Sequence, residues 1–266
     1  MPPVRRVDDV RPDESDHEFL PGMARGWMMP WYDVVARLRG LTRLYRRTVE
    51  LAGIAAGQHV LDVGCGTGNL SREVLRTAPD AVVTGLDPDG DSLRRAARKL
   101  RRRARAEVTL VRGFAHRLPV PDASQDHVIS SLALHHVPAE EKERMAVEIV
   151  RVLRPGGTVT IADFAGDHAA THGHDGAAPA DGTAPDAGTH HERHGHGRSH
   201  RHQPGHGRQP GHRHQPGHGP GSRTHDADNA DGGIERLLTA AGLHDARTLG
   251  RLPLLGDTMV VVQARR

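Results

Sequence analysis

An α/β fold, a doubly wound parallel sheet with helices on both faces, is the architecture this sequence predicts, and three observations carry the prediction. Short β-rich runs alternate with helical patterns from residue 57 to residue 164. The first run ends in a glycine-rich turn that opens directly into a helix. Strands separated by helices require crossover connections, which join parallel neighbours and lay the helices against the sheet.

Each element follows from its residues. HVLDVG (59–64) reads as a buried strand, and Leu70, Val74, Leu75 and Ala78 mark one face of the helix after it. AVVTGLD (81–87) is a second strand. An arginine-rich helix follows, with Leu93, Ala96, Ala97, Leu100 and Ala104 at helical spacing. EVTLV (107–111) and DHVISSLAL (126–134) are the third and fourth strands. The next helix turns Met145, Ile149, Val152 and Leu153 inward and is stopped by Pro155 and two glycines. TVTIADF (158–164) is a fifth strand. Ile234, Leu237, Leu238 and Ala241 mark a last helix, and two strands around a Leu-Gly-Asp turn close the chain.

The chain divides into four stretches. Residues 1–56 open polar and become helical; residues 57–164 form the alternating core; residues 165–230 are polar and repetitive; residues 231–266 complete the core. Residues 165–230 hold 14 of the 21 histidines and repeat a hexad as HQPGHG (202–207), RQPGHR (208–213) and HQPGHG (214–219). So little apolar surface does not offset ordering entropy, and the stretch is expected to be a disordered insertion. Closing a loop of that length in place of a short one costs about 2 kcal/mol, which a domain with a good core tolerates.

Bulk properties exclude several classes. No run approaches the roughly 18 apolar residues of a membrane span, so stable membrane insertion is not expected. The N-terminus lacks the apolar segment of a signal peptide, and a single cysteine, Cys65, fits a reducing compartment. The expectation is cytoplasmic. The net charge of +3 invites a nucleic-acid reading. The densest basic run, however, is the solvated face of the second helix, and two Trp, two Tyr and three Phe are few for base stacking. No nucleic-acid partner is expected.

The chemistry lies in VLDVGCGTGNL (60–70). Gly64, Gly66 and Gly68 let the backbone turn sharply and approach a ligand at a helix N-terminus. Their spacing is G-x-G-x-G, without the third packing glycine of dinucleotide binders. Asp62 puts a carboxylate beside the ligand, which repels phosphates and suits a cationic or amino-bearing group. Asp87, at the end of the second strand, stands where a ribose diol is hydrogen-bonded. LDPDGD also reads as a plain turn, but the pairing with the glycine loop favours the ribose.

These segments, with RGFAHRLPVPDASQDHVISSLALHHV and RVLRPGGTVTIADF, resemble the ordered motifs of class I methyltransferases that use S-adenosylmethionine. They are most similar to the small-molecule branch that includes the ubiquinone/menaquinone C-methyltransferases. The resemblance runs from Tyr32 to Phe164 and resumes at Ile234. It implies a Rossmann-like seven-stranded sheet with the last strand antiparallel and an N-terminal helical lid. It implies S-adenosylmethionine as cofactor and a small-molecule methyl acceptor as partner. Gly64, Cys65, Gly66 and Gly68 would wrap the methionine part, and Asp62 would orient its amino end through the loop or a water. Asp87 would take the ribose hydroxyls, Pro88 one adenine face, and Phe114 and Ala115 the adenine edge. Many relatives carry an aspartate where this chain has Phe114. Ser131 would face the cofactor, and Tyr32 would close over the methionyl carboxylate.

Methyl transfer needs a base only if the acceptor must lose a proton. His135 and His136 are the candidates, or else pocket wall. His116 reads as a surface replacement for an acidic residue. No metal site is indicated in the core. The insertion admits two readings. Its histidines, including His194, His196, His200, His202, His206, His212, His214 and His218, chelate divalent nickel, zinc or copper loosely, or they belong to a solvated linker. A metal buffer or delivery protein on a vestigial core is therefore the alternative to the enzyme.

Overall fold

The β-rich runs all enter one sheet in the computed structural model, which describes residues 4–14, 40–166, 229–254 and 257–266. In chain order the elements are β1 (Val4–Asp8), α1 (Leu41–Ala52), β2 (His59–Val63), α2 (Asn69–Thr77), β3 (Val82–Asp87), α3 (Gly90–Leu100) and β4 (Val108–Arg112). There follow β5 (Gln125–Ser131), α4 (Ala139–Val152), β6 (Leu153–Phe164), α5 (Gly233–Ala240), β7 (His244–Leu254) and β8 (Asp257–Arg265). The strands lie in the order β1-β4-β3-β2-β5-β6-β8-β7. Only β8 runs against the rest, pairing antiparallel with both β6 and β7. This is the expected Rossmann-like sheet with its last strand reversed.

It has eight strands rather than seven. The additional one, β1, pairs parallel with β4 along Val4 to Asp8 at the sheet edge. VRRVD has no apolar stripe, and four of its five side chains are exposed, so backbone pairing makes this strand. Two expected boundaries also move. The fourth strand ends at Ser131 because Leu132 adopts a left-handed φ of 57°. The strand expected to start at residue 158 begins at Leu153, with a bulge before Thr158 where the register jumps.

Alternating residues of each buried strand serve opposite faces. Val60, Val83, Val108, Leu110 and Ile129 meet α1, α2 and α3 through Val49, Leu70, Val74, Leu93, Ala96 and Leu100. Leu61, Val128, Val159, Ile161 and Val262 meet α4 and α5 through Met145, Ile149, Val152, Ile234 and Leu238. Part of the stretch assigned to the lid is thus a layer of the core: Leu41 and Leu44 of α1 are buried against Ala162, Met259 and Val261. Tyr32 lies outside the described residues. Among the described residues no helix is long and apolar enough to cross a membrane.

After β2 the chain builds outward to β3 and β4, then returns to place β5 on the other side of β2. Strand direction of travel thus reverses between β2 and β5. In open α/β sheets such a switch point leaves a crevice at the carboxyl ends of the strands, where ligands bind.

Candidate active site

The crevice is bounded on one side by the loop after β2. Gly64, Gly66 and Gly68 all have positive φ, at 71°, 49° and 75°. At Gly64 the requirement is also steric, since a Cβ there would lie 2.3 Å from the Ala133 Cβ. That contact brings the loop after β2 against the segment after β5. The amides of Gly64 and Cys65 both donate to the Leu86 carbonyl, at 2.8 and 3.0 Å. At Gly68 a Cβ would come within 3.0 Å of Ala96, so the missing side chain lets α3 close on the loop.

Two buried carboxylates support this loop. Asp87 accepts the Gly66 N–H at 2.7 Å on one oxygen and the Asp89 N–H at 2.9 Å on the other. Burial pushes its pKa up to about 6 against those hydrogen bonds. Asp62 accepts from both the backbone N–H (3.1 Å) and hydroxyl (2.5 Å) of Ser71, in the first turn of α2. Burial pushes it up to about 7, and the negative charge of Asp87 adds to the rise. Its second oxygen, Oδ1, is buried without a hydrogen-bond partner. Asp62 therefore ties the loop to α2 with one oxygen and keeps acceptor capacity on the other.

The remaining expected cofactor contacts divide. Cys65 turns its thiol beneath the loop, against Gly85, where a Cβ would sit 2.9 Å from its Sγ. It belongs to the apolar cluster of that face, and burial pushes its pKa well up. Only its backbone is available to a ligand. Pro88 is half-buried, and its carbonyl accepts from Arg112 Nε at 3.1 Å. Phe114 and Ala115 follow Gly113, whose N–H meets the Asp87 carbonyl at 3.3 Å. The Phe114 ring stacks on His116 at 5.9 Å, while Ala115 packs against the core. Ser131 is buried at the tip of β5, and its hydroxyl has no hydrogen-bond partner.

Across the crevice the chain leaves β5 through the strained Leu132 into a short 3-10 turn, Leu134–His136. His135 and His136 lie ring to ring at 3.9 Å, but their environments differ. His135 Nδ1 is 2.8 Å from Oδ1 of Asp163, a fully buried carboxylate near the end of β6. The Leu134 N–H (2.9 Å) and the Phe164 N–H (2.8 Å) also donate to that carboxylate. The sequence reading missed Asp163, taking ADF as strand. Its signal was an acidic residue at the tip of an otherwise apolar strand, beside the tip that carries two histidines.

A second feature was missed. Arg117, two residues past Ala115, grips the N-terminal segment: its guanidinium reaches Asp9 Oδ2 at 2.6 Å, the Asp9 carbonyl at 2.6 Å and Glu14 Oε2 at 3.1 Å. Burial alone would raise the Glu14 pKa. Hydrogen bonds from Arg117, the Arg11 N–H and His116 outweigh it and pull the carboxyl down to about 2. His116 Nε2 is 3.0 Å from the same carboxylate, so it is a hydrogen-bond partner of the N-terminal segment.

These residues fit an adenosyl sulfonium. A Cβ at Gly66 would meet nothing nearer than Asp87 Oδ2, at 4.0 Å, so the strip beside that carboxylate is open. Orphan acceptor capacity on Asp62 and an orphan hydroxyl on Ser131 flank the same loop. No cluster of three or more potential metal ligands occurs among the described residues. The histidines of the insertion, His194 to His218, lie outside them.

Comparison with known proteins agrees with the crevice. A methyltransferase-domain family model matches residues 60–157. The chain is 35% identical over 136 residues to 27-O-demethylrifamycin SV methyltransferase of Amycolatopsis mediterranei, covering 50% of this chain and 49% of that protein. It is 35% identical over 159 residues to the demethylmenaquinone methyltransferase of Renibacterium salmoninarum, covering 59% and 61%. The chain thus spans about half the length of the curated relatives it matches. An S-adenosylmethionine-dependent methyltransferase from Aquifex aeolicus superposes with a TM-score of 0.53 over 88% of this chain and 97% of its own, at 15% identity, a likeness of fold. Residues 60–157, which build the crevice, thus match a methyltransferase-domain family model, and the chain is similar over that region to proteins named as methyltransferases.

Proposed function

We propose that the protein transfers a methyl group from S-adenosylmethionine to a small-molecule acceptor by in-line displacement. The observation that carries this reading is the Asp87 carboxylate held over the glycine loop by the Gly66 amide at 2.7 Å. A carboxylate fixed beside an open backbone turn suits a ribose diol at one end and an amino-bearing, cationic ligand at the other. The donor, when bound, supplies an already activated methyl on a sulfonium.

The chain's own task is then placement and exclusion of water. Asp87 fixes the ribose, Asp62 Oδ1 and the loop carbonyls receive the amino end, and the half-buried Pro88, Phe114 and Ala115 flank the adenine. The acceptor occupies the other side of the switch point, over the tips of β5 and β6. A reacting atom held about 3–3.5 Å from the methyl in a dry pocket accounts for most of the acceleration such a reaction needs. The relatives support a small acceptor: one is named for a demethylrifamycin and another for demethylmenaquinone.

Calorimetric titration of S-adenosylmethionine and S-adenosylhomocysteine into the purified chain tests the reading. Both should bind. Asp87→Ala should weaken each by about tenfold to a hundredfold, the worth of a hydrogen bond to a charged group. Absence of binding at millimolar ligand would sink the proposal.

A further inference from the structure

We infer that the arginine face of α3, together with β1 at the sheet edge, docks the protein on an anionic lipid surface. This goes beyond the methyltransferase reading and does not depend on it.

The inference starts from how α3 divides its side chains. Leu93, Ala96, Ala97 and Leu100 are buried against the sheet. The helical period then sends Arg94, Arg98 and Arg101 outward, where all three are exposed. Arg102, Arg103 and Arg105, in the turn that leaves the helix, are exposed as well. α3 packs against β1, and Val4 of that strand packs on the apolar cluster that holds Leu100 and Val108. Arg6 shares the Val4 face of the strand by alternation, which places it on the helix side of the edge.

The charge on this surface is not compensated. Acidic groups on the same elements are few and already engaged: Asp91 pairs with Arg94, Glu107 with Arg5 at 3.5 Å, and Asp8 with Arg112 at 3.4 Å. Asp80 follows Pro79, whose carbonyl receives the Arg105 N–H, yet it pairs with none of the arginines. Arg6, Arg98, Arg101, Arg102, Arg103 and Arg105 have no ion pair among the described residues. A guanidinium keeps its proton at any physiological pH, so these charges persist together. Their mutual repulsion is relieved by a partner of opposite charge.

What the surface lacks points to the kind of partner. From Gly90 to Glu107 there is no aromatic, Asn or Gln side chain, and VRRVD has none. Nothing there stacks on a base or reads its edge by a bidentate amide. A fluid layer of phosphodiester head groups asks for charge alone, without a fixed register. β1 also carries Val7, at 40% exposure one of two exposed large apolar side chains among the described residues. An apolar side chain beside a basic face suits the head-group boundary of a bilayer.

Docking on this face leaves the crevice clear. α3 begins at Gly90, just past Asp87, and runs back to Leu100 before β4 starts at Val108. Arg101 to Arg105 therefore lie at the amino ends of the strands, opposite the carboxyl ends where the crevice opens.

The test is sedimentation of the full chain with lipid vesicles at about pH 8, where ordinary histidine side chains are neutral. Vesicles of phosphatidylcholine with about 30% phosphatidylglycerol should carry the protein down, and phosphatidylcholine alone should not. Raising the salt from about 0.1 M to about 1 M should release it, because the screening length shrinks from about 10 Å to about 3 Å. Arg101→Gln, Arg102→Gln and Arg103→Gln combined should weaken binding about a hundredfold, at roughly fivefold for each charge near the surface. The corresponding triple lysine variant should stay within about threefold of the wild type, since the lipid field reads charge and not side-chain shape. A cooperative urea transition in both variants shows that they fold. No sedimentation with the anionic vesicles, or undiminished sedimentation of the glutamine variant, overturns the proposal. So does tighter retention of duplex DNA than of vesicles at equal phosphate concentration, which would make this a nucleic-acid surface.

Discussion

The two rims of the crevice are built on opposite plans. On the β2–β3 side the carboxylates are already engaged: Asp87 by the Gly66 and Asp89 amides, Asp62 by both donors of Ser71. On the β5–β6 side Asp163 is equally engaged, but it holds an imidazole whose second nitrogen has no hydrogen-bond partner among the described residues. The first rim is closed by its own hydrogen bonds, and the second leaves part of its polar capacity unspent. The difference shows how one sheet builds two unlike rims on the strands that part at the switch point.

The most severe way to break this division is to disturb the place where the rims meet. Gly64→Ala puts a methyl group into Ala133 and a side chain at a φ of 71°. The backbone strain alone should cost about 1–3 kcal/mol, visible as a lower urea midpoint, with cofactor binding lost as well. Adding Ala133→Gly should recover the steric part and leave the conformational part, which separates the two causes.

A smaller effect is expected from Arg117→Gln. It removes the cation that holds Glu14 and Asp9, at about 1.5–3 kcal/mol for charge-assisted hydrogen bonds. The wild-type Glu14 carboxyl, held near 2, contributes stability that is present above its unfolded value of 4.5 and lost as pH falls toward 2. In Arg117→Gln that acid-side decline should flatten. Because Arg117 follows the adenine-edge residues, cofactor affinity should fall several-fold in calorimetry while the urea midpoint shift stays modest.

The mildest test is pH. Asp62 and Asp87 have pKa values raised to about 7 and about 6. The cofactor-free fold therefore binds more protons than the unfolded chain between about pH 4 and 7, and its stability falls as pH rises through that window. An amino-bearing cation reverses the preference by favouring both ionised forms. S-adenosylmethionine affinity should thus rise roughly tenfold from pH 6 to pH 8, with protons released on binding, as calorimetry in buffers of different ionisation enthalpy would reveal. A flat profile would mean that the carboxylates serve only the loop.

Much of the first rim was legible in the sequence, because glycine spacing and an acidic residue at a strand end depend on local geometry. HVLDVG, AVVTGLD and the helices between them carry their burial in their own periodicity. Less was legible where partners are distant. Asp163 and His135 are 28 residues apart and meet only because β5 and β6 pair. Arg117 and Asp9 are 108 apart, joined only because β1 docks on β4. β1 itself escaped because VRRVD is polar and is held by backbone hydrogen bonds, which leave no hydrophobic pattern to read. Cys65 escaped for a different reason: Gly85, on the neighbouring strand, provides the space into which its thiol turns, so its direction is a property of the pair.

The Gly64–Ala133 contact also constrains how such a fold diversifies. A residue with no side chain facing one with a single methyl gears the two loops together, so neither position can enlarge without the other yielding. Lineages that adopt new acceptors must leave this bearing alone and vary the residues on its far side, around Leu132, His136 and Phe164. The spacing of the two loops would then stay fixed while their surroundings vary, and mutational libraries aimed at new ligands are best confined to that outer set.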